Sequence, residues 1–162
     1  MKKILFSTLI IFVLFFIIGC NYKNNKQSTI LKNIEIDNNK CEIEKDEDTH
    51  SGFLGDGDYF AKIKCTDINY NELSKNWKKL PLSNSLKEVI QMEQCNGDGC
   101  NNVYEKFSIP NTENGYYYFL DRHSESTNKF DDTDLNNRSS WNFTLAIIDE
   151  TTNIIYYYEL DT

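Results

Sequence analysis

The sequence predicts an α+β fold: an antiparallel β-sheet with two helices grouped in the middle of the chain. Period-two alternation of apolar residues recurs in the segments 41–45, 58–65, 141–149 and 153–160, which marks half-buried strands. Apolar residues at helical spacing occupy only the stretch between residues 69 and 91. Strands before and after a short helical block give helices segregated from an antiparallel sheet.

The chain of 162 residues opens with Lys2 and Lys3, an apolar run from Ile4 to Ile18, then Gly19 and Cys20. A basic start followed by an apolar run and a small residue is the layout of a secretory signal. The run is shorter than the roughly 20 residues a spanning helix needs. Ile17-Ile18-Gly19-Cys20 resembles the lipobox of bacterial lipoproteins. That resemblance implies a signal peptide over 1–19, lipidation of Cys20, and attachment through several acyl chains to the extracytoplasmic face of the cell membrane. The polar segment 20–29 reads as a flexible tether, and 30–162 as one α+β domain.

Loss of Lys2 and Lys3 with the signal leaves 15 of the 17 basic residues against 25 acidic ones, a formal net charge of −10. So acidic a chain repels phosphate backbones and anionic headgroups, which excludes nucleic acid as a partner and makes the lipid on Cys20 the means of membrane attachment.

Four further cysteines, Cys41, Cys65, Cys95 and Cys100, point to disulfides in an exported chain, and their number alone allows three connectivities. A hairpin folded about residue 53 sets Ile43 opposite Ile63 and Cys41 opposite Cys65, which predicts a Cys41–Cys65 bond. The tight loop CNGDGC then closes with Cys95–Cys100.

Between these pairs, residues 69–79 gather Tyr70, Leu73 and Trp77 on one helical face, with Asp67 or Asn69 as the cap and Pro81 as the stop. Ser85 followed by Glu88 reads as a capping box for a second helix with Leu86, Val89 and Ile90 inward. Residues 115–123 form a strand, followed by a polar insertion. Residues 141–149 and 153–160 form a hairpin with Trp141, Phe143, Leu145 and Ile147 sharing a face with Ile154, Tyr156, Tyr158 and Leu160.

Standard catalytic signatures are missing: there is no nucleophile elbow, phosphate loop, zinc-protease helix or paired Cys-x-x-Cys. The acidic run Asp131-Asp132-Thr133-Asp134 fails the calcium-loop pattern, because Asn137 replaces its glycine and Phe143 its bidentate glutamate. It reads as a solvated loop. With all four cysteines in disulfides, no thiolate remains as a nucleophile.

One constellation survives. Each of the two histidines follows an aspartate by two positions, in Asp48-Thr49-His50 and Asp121-Arg122-His123. In extended backbone such residues project to one side, so each carboxylate can orient its imidazole and raise its pKa. If the two pairs adjoin, Asp48, His50, Asp121 and His123 supply a metal site or a catalytic acid and base. If they do not, His50 merely pins its loop through Asp48. That loop carries Gly52, Phe53, Gly55, Asp56 and Gly57, and at about a dozen residues it exceeds the usual hairpin turn, as binding loops do.

The blocks DTHSGFLGDGDYFAKIKC, WKKLPLS, NGYYYFLDRHSES and WNFTLAIIDETTNIIYYYELDT are similar to a family of small uncharacterised bacterial proteins, mostly from Firmicutes, some with a lipoprotein signal. The first block of that family reads Asp-x-His-Gly-Gly-Phe-x-Gly-Asp-Gly, with Ser51 here in place of the first glycine. The resemblance implies a shared fold and carries no established activity. The sequence therefore predicts an extracytoplasmic lipoprotein whose domain binds a protein or small-molecule ligand, with a hydrolase or metal-dependent enzyme using the two Asp-x-His pairs as the alternative. No cofactor is specified.

Overall fold

The computed structural model describes residues 25–37, 40–50, 55–92, 94–96, 99–123 and 128–162; of 94–96 and 99–101 it describes the backbone alone. The described residues fall into two units, one ending before Lys40 and the other running from Lys40 to Thr162. In the first unit residues 25–33 are helical (α1), where the sequence reading expects the end of a tether. Thr29 Oγ1 donates to the Asn25 carbonyl across one turn at 3.0 Å, and Ile30, Leu31 and Ile34 are buried. Cys20 lies outside the described residues. Among the described residues, no helix is long and apolar enough to cross a membrane.

The second unit is built on a six-stranded antiparallel sheet, as the sequence predicts for this α+β class. Its strands are β1 (Cys41–Asp48), β2 (Gly57–Cys65), β3 (Lys78–Lys79), β6 (Gly115–Asp121), β7 (Asn142–Asp149) and β8 (Ile154–Asp161), in the order β1-β2-β8-β7-β6-β3. A separate two-stranded ribbon pairs β4 (Gln94–Asn96) with β5 (Gly99–Asn101). The expected register holds in the first hairpin: Cys41 faces Cys65, Ile43 faces Ile63, and the Cys41–Cys65 disulfide is formed. In the ribbon Cys95 stands opposite Cys100, but their side chains, and with them the second predicted bond, lie outside the described residues.

The sheet is covered on both faces, which is why β7 and β8 read as nearly continuous apolar runs. On one face Phe143, Leu145 and Ile147 pair with Leu160, Tyr158 and Tyr156, as the alternation predicts. There α3 (Asn84–Gln91) and α4 (Val103–Phe107) supply Leu86, Val89, Ile90, Val103 and Phe107, and Phe107 stacks on Phe60 at 4.2 Å between centroids. On the other face Ala61, Ile63, Ala146, Ile148, Ile155 and Tyr157 are buried. Here Trp77, just past α2 (Tyr70–Asn76), meets Tyr118 at 5.9 Å.

Several elements depart from expectation for local reasons. Helix α2 is capped by Asn69 but ends at Asn76, well before Pro81, because Lys78 and Lys79 leave the helix to pair with Tyr117 and Tyr116. Lys79 Nζ lies 4.5 Å above the Tyr116 ring and 2.9 Å from Glu150, contacts a continued helix would forgo. Helix α3 starts two residues earlier than the capping box suggests: Ser83, not Ser85, accepts from the Leu86 amide at 3.2 Å. Helix α4, five residues long, is an addition to the two helices expected. The run around Asp132 is more than a solvated loop, since Ser83 Oγ donates to Asp132 and Leu135, in a 3-10 turn, is fully buried.

Candidate functional site

The strands β1, β2, β8, β7 and β6 all bring one end to the same side of the sheet, and Asp48, His50, Asp121 and His123 sit there. Strand β1 runs on to Asp48 and β2 starts at Gly57, so the connecting loop spans 49–56 and is shorter than the sequence suggests. Gly55 adopts φ +74°, a left-handed turn conformation suited to glycine. Asp56 is exposed. Gly52 and Phe53 of the expected binding loop lie outside the described residues.

Gly57 is required by proximity. A Cβ built on it would stand 2.5 Å from the Cα of His50 and 2.6 Å from its nitrogen. The two feet of the loop therefore touch backbone to backbone. Thr49 and Asp58 lock that contact: the Thr49 amide donates to the Asp58 carbonyl at 2.8 Å, the Asp58 amide donates to Thr49 Oγ1 at 2.9 Å, and Thr49 Oγ1 donates to the Asp58 carboxylate. Asp58 is almost wholly buried, and Lys106 of α4 reaches its other oxygen at 2.6 Å.

His50 is held from both sides. Its Nδ1 lies 2.7 Å from Asp48 Oδ1, the local contact that the i, i+2 spacing predicts, and its backbone amide also donates to that oxygen at 3.2 Å. Its Nε2 lies 3.2 Å from Asp161 Oδ2 at the end of β8. Arg122 Nη2 then approaches Asp161 Oδ1 at 3.0 Å and donates to the carbonyl of Phe143 at 3.1 Å. Burial of the ring is the largest single influence on it and opposes its charge, but the hydrogen bonds and charges of Asp48 and Asp161 together outweigh burial. The pKa of His50 therefore lies above the usual 6.5.

The second pair behaves differently. The Asp121 carboxylate accepts the backbone amide of His123 at 3.0 Å and the Arg138 guanidinium at 2.6 Å, and the His123 ring has no hydrogen bond among the described residues. Asp121, His123, Asp131, Thr133, Asp134 and Arg138 line a pocket of about 410 Å³. His50 is not part of it.

No known protein family, curated protein or solved structure matches this chain.

The chemistry rests on the geometry alone. Between Asp48 on β1 and Asp121 on β6 stand three strands, and four inter-strand steps of about 4.8 Å set them roughly 19 Å apart. The shared centre of Asp48, His50, Asp121 and His123 is not assembled. No group of three His, Cys, Asp or Glu side chains that could hold a metal is found among the described residues. A carboxylate on each nitrogen favours the doubly protonated imidazole, and both ring nitrogens of His50 are engaged by these two carboxylates.

The motifs do connect, through a residue not singled out in the sequence. Arg122, the middle of Asp-Arg-His, reaches Asp161, and Asp161 reaches His50. Asp161 and Lys106 were equally unmarked, because the pairing of Asp161 opposite Gly57 and the placing of α4 are long-range consequences of the fold.

Proposed function

We propose that the chain is a lipid-anchored extracytoplasmic protein whose second unit presents the 49–56 loop to a binding partner. The supporting observation is the double clamp at the feet of that loop, in which Thr49, Asp58 and Lys106 fix one side and Asp48, His50, Asp161 and Arg122 the other. An eight-residue hairpin loop over 49–56 exceeds the roughly two to five residues usual for hairpins, and long loops on fixed supports are where recognition concentrates. The lipid anchor is supported by the resemblance of Ile17–Cys20 to a lipobox.

Two experiments test the two halves. Cys20→Ser should abolish lipidation and removal of the signal, so that the protein accumulates at its precursor mass with the apolar run from Ile4 to Ile18 retained; unchanged maturation overturns the anchor. A photo-crosslinking amino acid in place of Phe53 should give a discrete adduct on intact cells, while the same group at Glu113, exposed in a loop preceding β6, should not. Identical adducts from both positions overturn the recognition loop.

A further inference from the structure

We propose that His50 is a pH-sensitive clasp, which ties the foot of the 49–56 loop to the end of β8 while its imidazole is protonated and releases β8 when the proton is lost. The clasp stands on geometry; its meaning as regulation rests on the reading of the loop as a recognition element.

An imidazolium has two N–H donors, and here each faces a carboxylate: Nδ1 at 2.7 Å from Asp48 and Nε2 at 3.2 Å from Asp161. The neutral ring keeps one N–H and turns a lone pair on the other carboxylate, so one contact must open. The contact to open is Asp161. Asp48 is two residues away, makes the shorter bond and also accepts the backbone amide of His50, whereas Asp161 keeps a second cation in Arg122 at 3.0 Å.

The surroundings favour the charged ring. From β1 it meets Asp48, with Asp46 beyond accepting from the Tyr59 hydroxyl at 3.2 Å. From β2 comes Tyr59, opposite Asp48, whereas Asp58, joined to Lys106 of α4 at 2.6 Å, projects to the other face of the sheet. From β8 come Asp161 and Glu159, the latter accepting from the Tyr157 hydroxyl at 2.5 Å. Arg122 follows β6 and pairs with Asp161 at 3.0 Å. Of these side-chain types only imidazole ordinarily titrates near neutrality.

A histidine whose folded pKa is raised contributes fully below its ordinary value of 6.5 and loses that contribution as pH rises through the raised one. The loop is then tight in acid and loosened in alkali. Gly57 transmits the change, since its backbone lies against His50 with no room between.

The test is amide exchange in the intact protein in detergent, corrected for intrinsic rates, together with the ring chemical shifts of both histidines. Protection of the Thr49 and Asp58 amides should fall about tenfold between about pH 5.5 and about pH 8.5, the effect of one charge-assisted hydrogen bond. His50→Gln should abolish that response and His123→Gln should leave it intact. A flat response in the unaltered protein, a His50 ring titrating at or below 6.5, or an unchanged response in His50→Gln overturns the clasp. None of these outcomes bears on crosslinking at position 53, so failure of the clasp and failure of the recognition loop are read separately.

Discussion

Replacing Lys106 with methionine removes the only positive charge, among the described residues, paired with the Asp58 carboxylate, which is 4% exposed. The methionine keeps the aliphatic stem and its packing, so the loss is electrostatic. Asp58 retains the Thr49 hydroxyl as one donor, but its second oxygen, 2.6 Å from Lys106 Nζ, is left without a partner in a buried position. Breaking a buried pair by removing one partner costs about 3–5 kcal/mol. Lys106 keeps a quarter of its side chain exposed, so water reaches the vacated place and the cost falls to about 2–3 kcal/mol. With a urea m-value of about 1.5 kcal/mol/M, the unfolding midpoint should drop by roughly 1.3–2 M. The control is Asp58→Asn combined with Lys106→Met. With no charge left to strand, the double variant should be more stable than Lys106→Met alone by at least about 1 kcal/mol. A midpoint shift below roughly 0.3 M in Lys106→Met, or strict additivity in the double variant, would show that the pair is a solvated surface bridge and that α4 does not fix the loop foot.

Replacing both Cys41 and Cys65 with alanine opens a loop of 24 residues; the chain-entropy argument gives a loss of about 3.5 kcal/mol, measured by urea unfolding against the oxidised protein, and a loss below roughly 1 kcal/mol would mean the unfolded chain is already compact there. Gly57→Ala drives a Cβ to 2.5 Å from His50 Cα and should cost about 1–3 kcal/mol while shifting the His50 ring resonances; unchanged resonances would refute the close approach of the two loop feet.

The sheet was readable because its signals are local. Ile43 with Ile63 and Cys41 with Cys65 follow from two alternating strands folded on a single loop, and the 141–160 hairpin follows in the same way. What sequence reasoning lost was set by distant neighbours. Lys78 and Lys79 continue a helical pattern, yet the exposed edge of β6 offers them strand pairing and the Tyr116 ring. Ser85 with Glu88 satisfies the capping-box spacing, but Ser83 caps α3 because its hydroxyl also donates to Asp132 from the polar insertion. Within the site, Asp48 beside His50 was legible from i, i+2 spacing, whereas the identical spacing in Asp121-Arg122-His123 failed. There Arg138, from the far end of the insertion, binds the Asp121 carboxylate, and its remaining hydrogen bond goes to the His123 backbone rather than to the ring.

That failure weighs against a shared centre built from the two Asp-x-His motifs. A catalytic pair of Asp-x-His motifs needs both rings at one centre, and the fold instead links His50 only through Asp161 to Arg122, the residue between Asp121 and His123. Arg122 does for Asp161 what Arg138 does for Asp121: each guanidinium holds an aspartate at the sheet end. An arginine beside Asp161 reduces the pull of that carboxylate on His50, whereas Asp48 lies nearer the ring, at 2.7 Å, and also accepts the backbone amide of His50. The two sides of the ring are therefore unequal. A catalytic base requires one free nitrogen and a fixed orienting carboxylate on the other; His50 has a second carboxylate where substrate would have to enter. The arrangement suits a joint that is firm on the side of its own strand and releasable on the side of β8, which is what a presented loop requires of its foot.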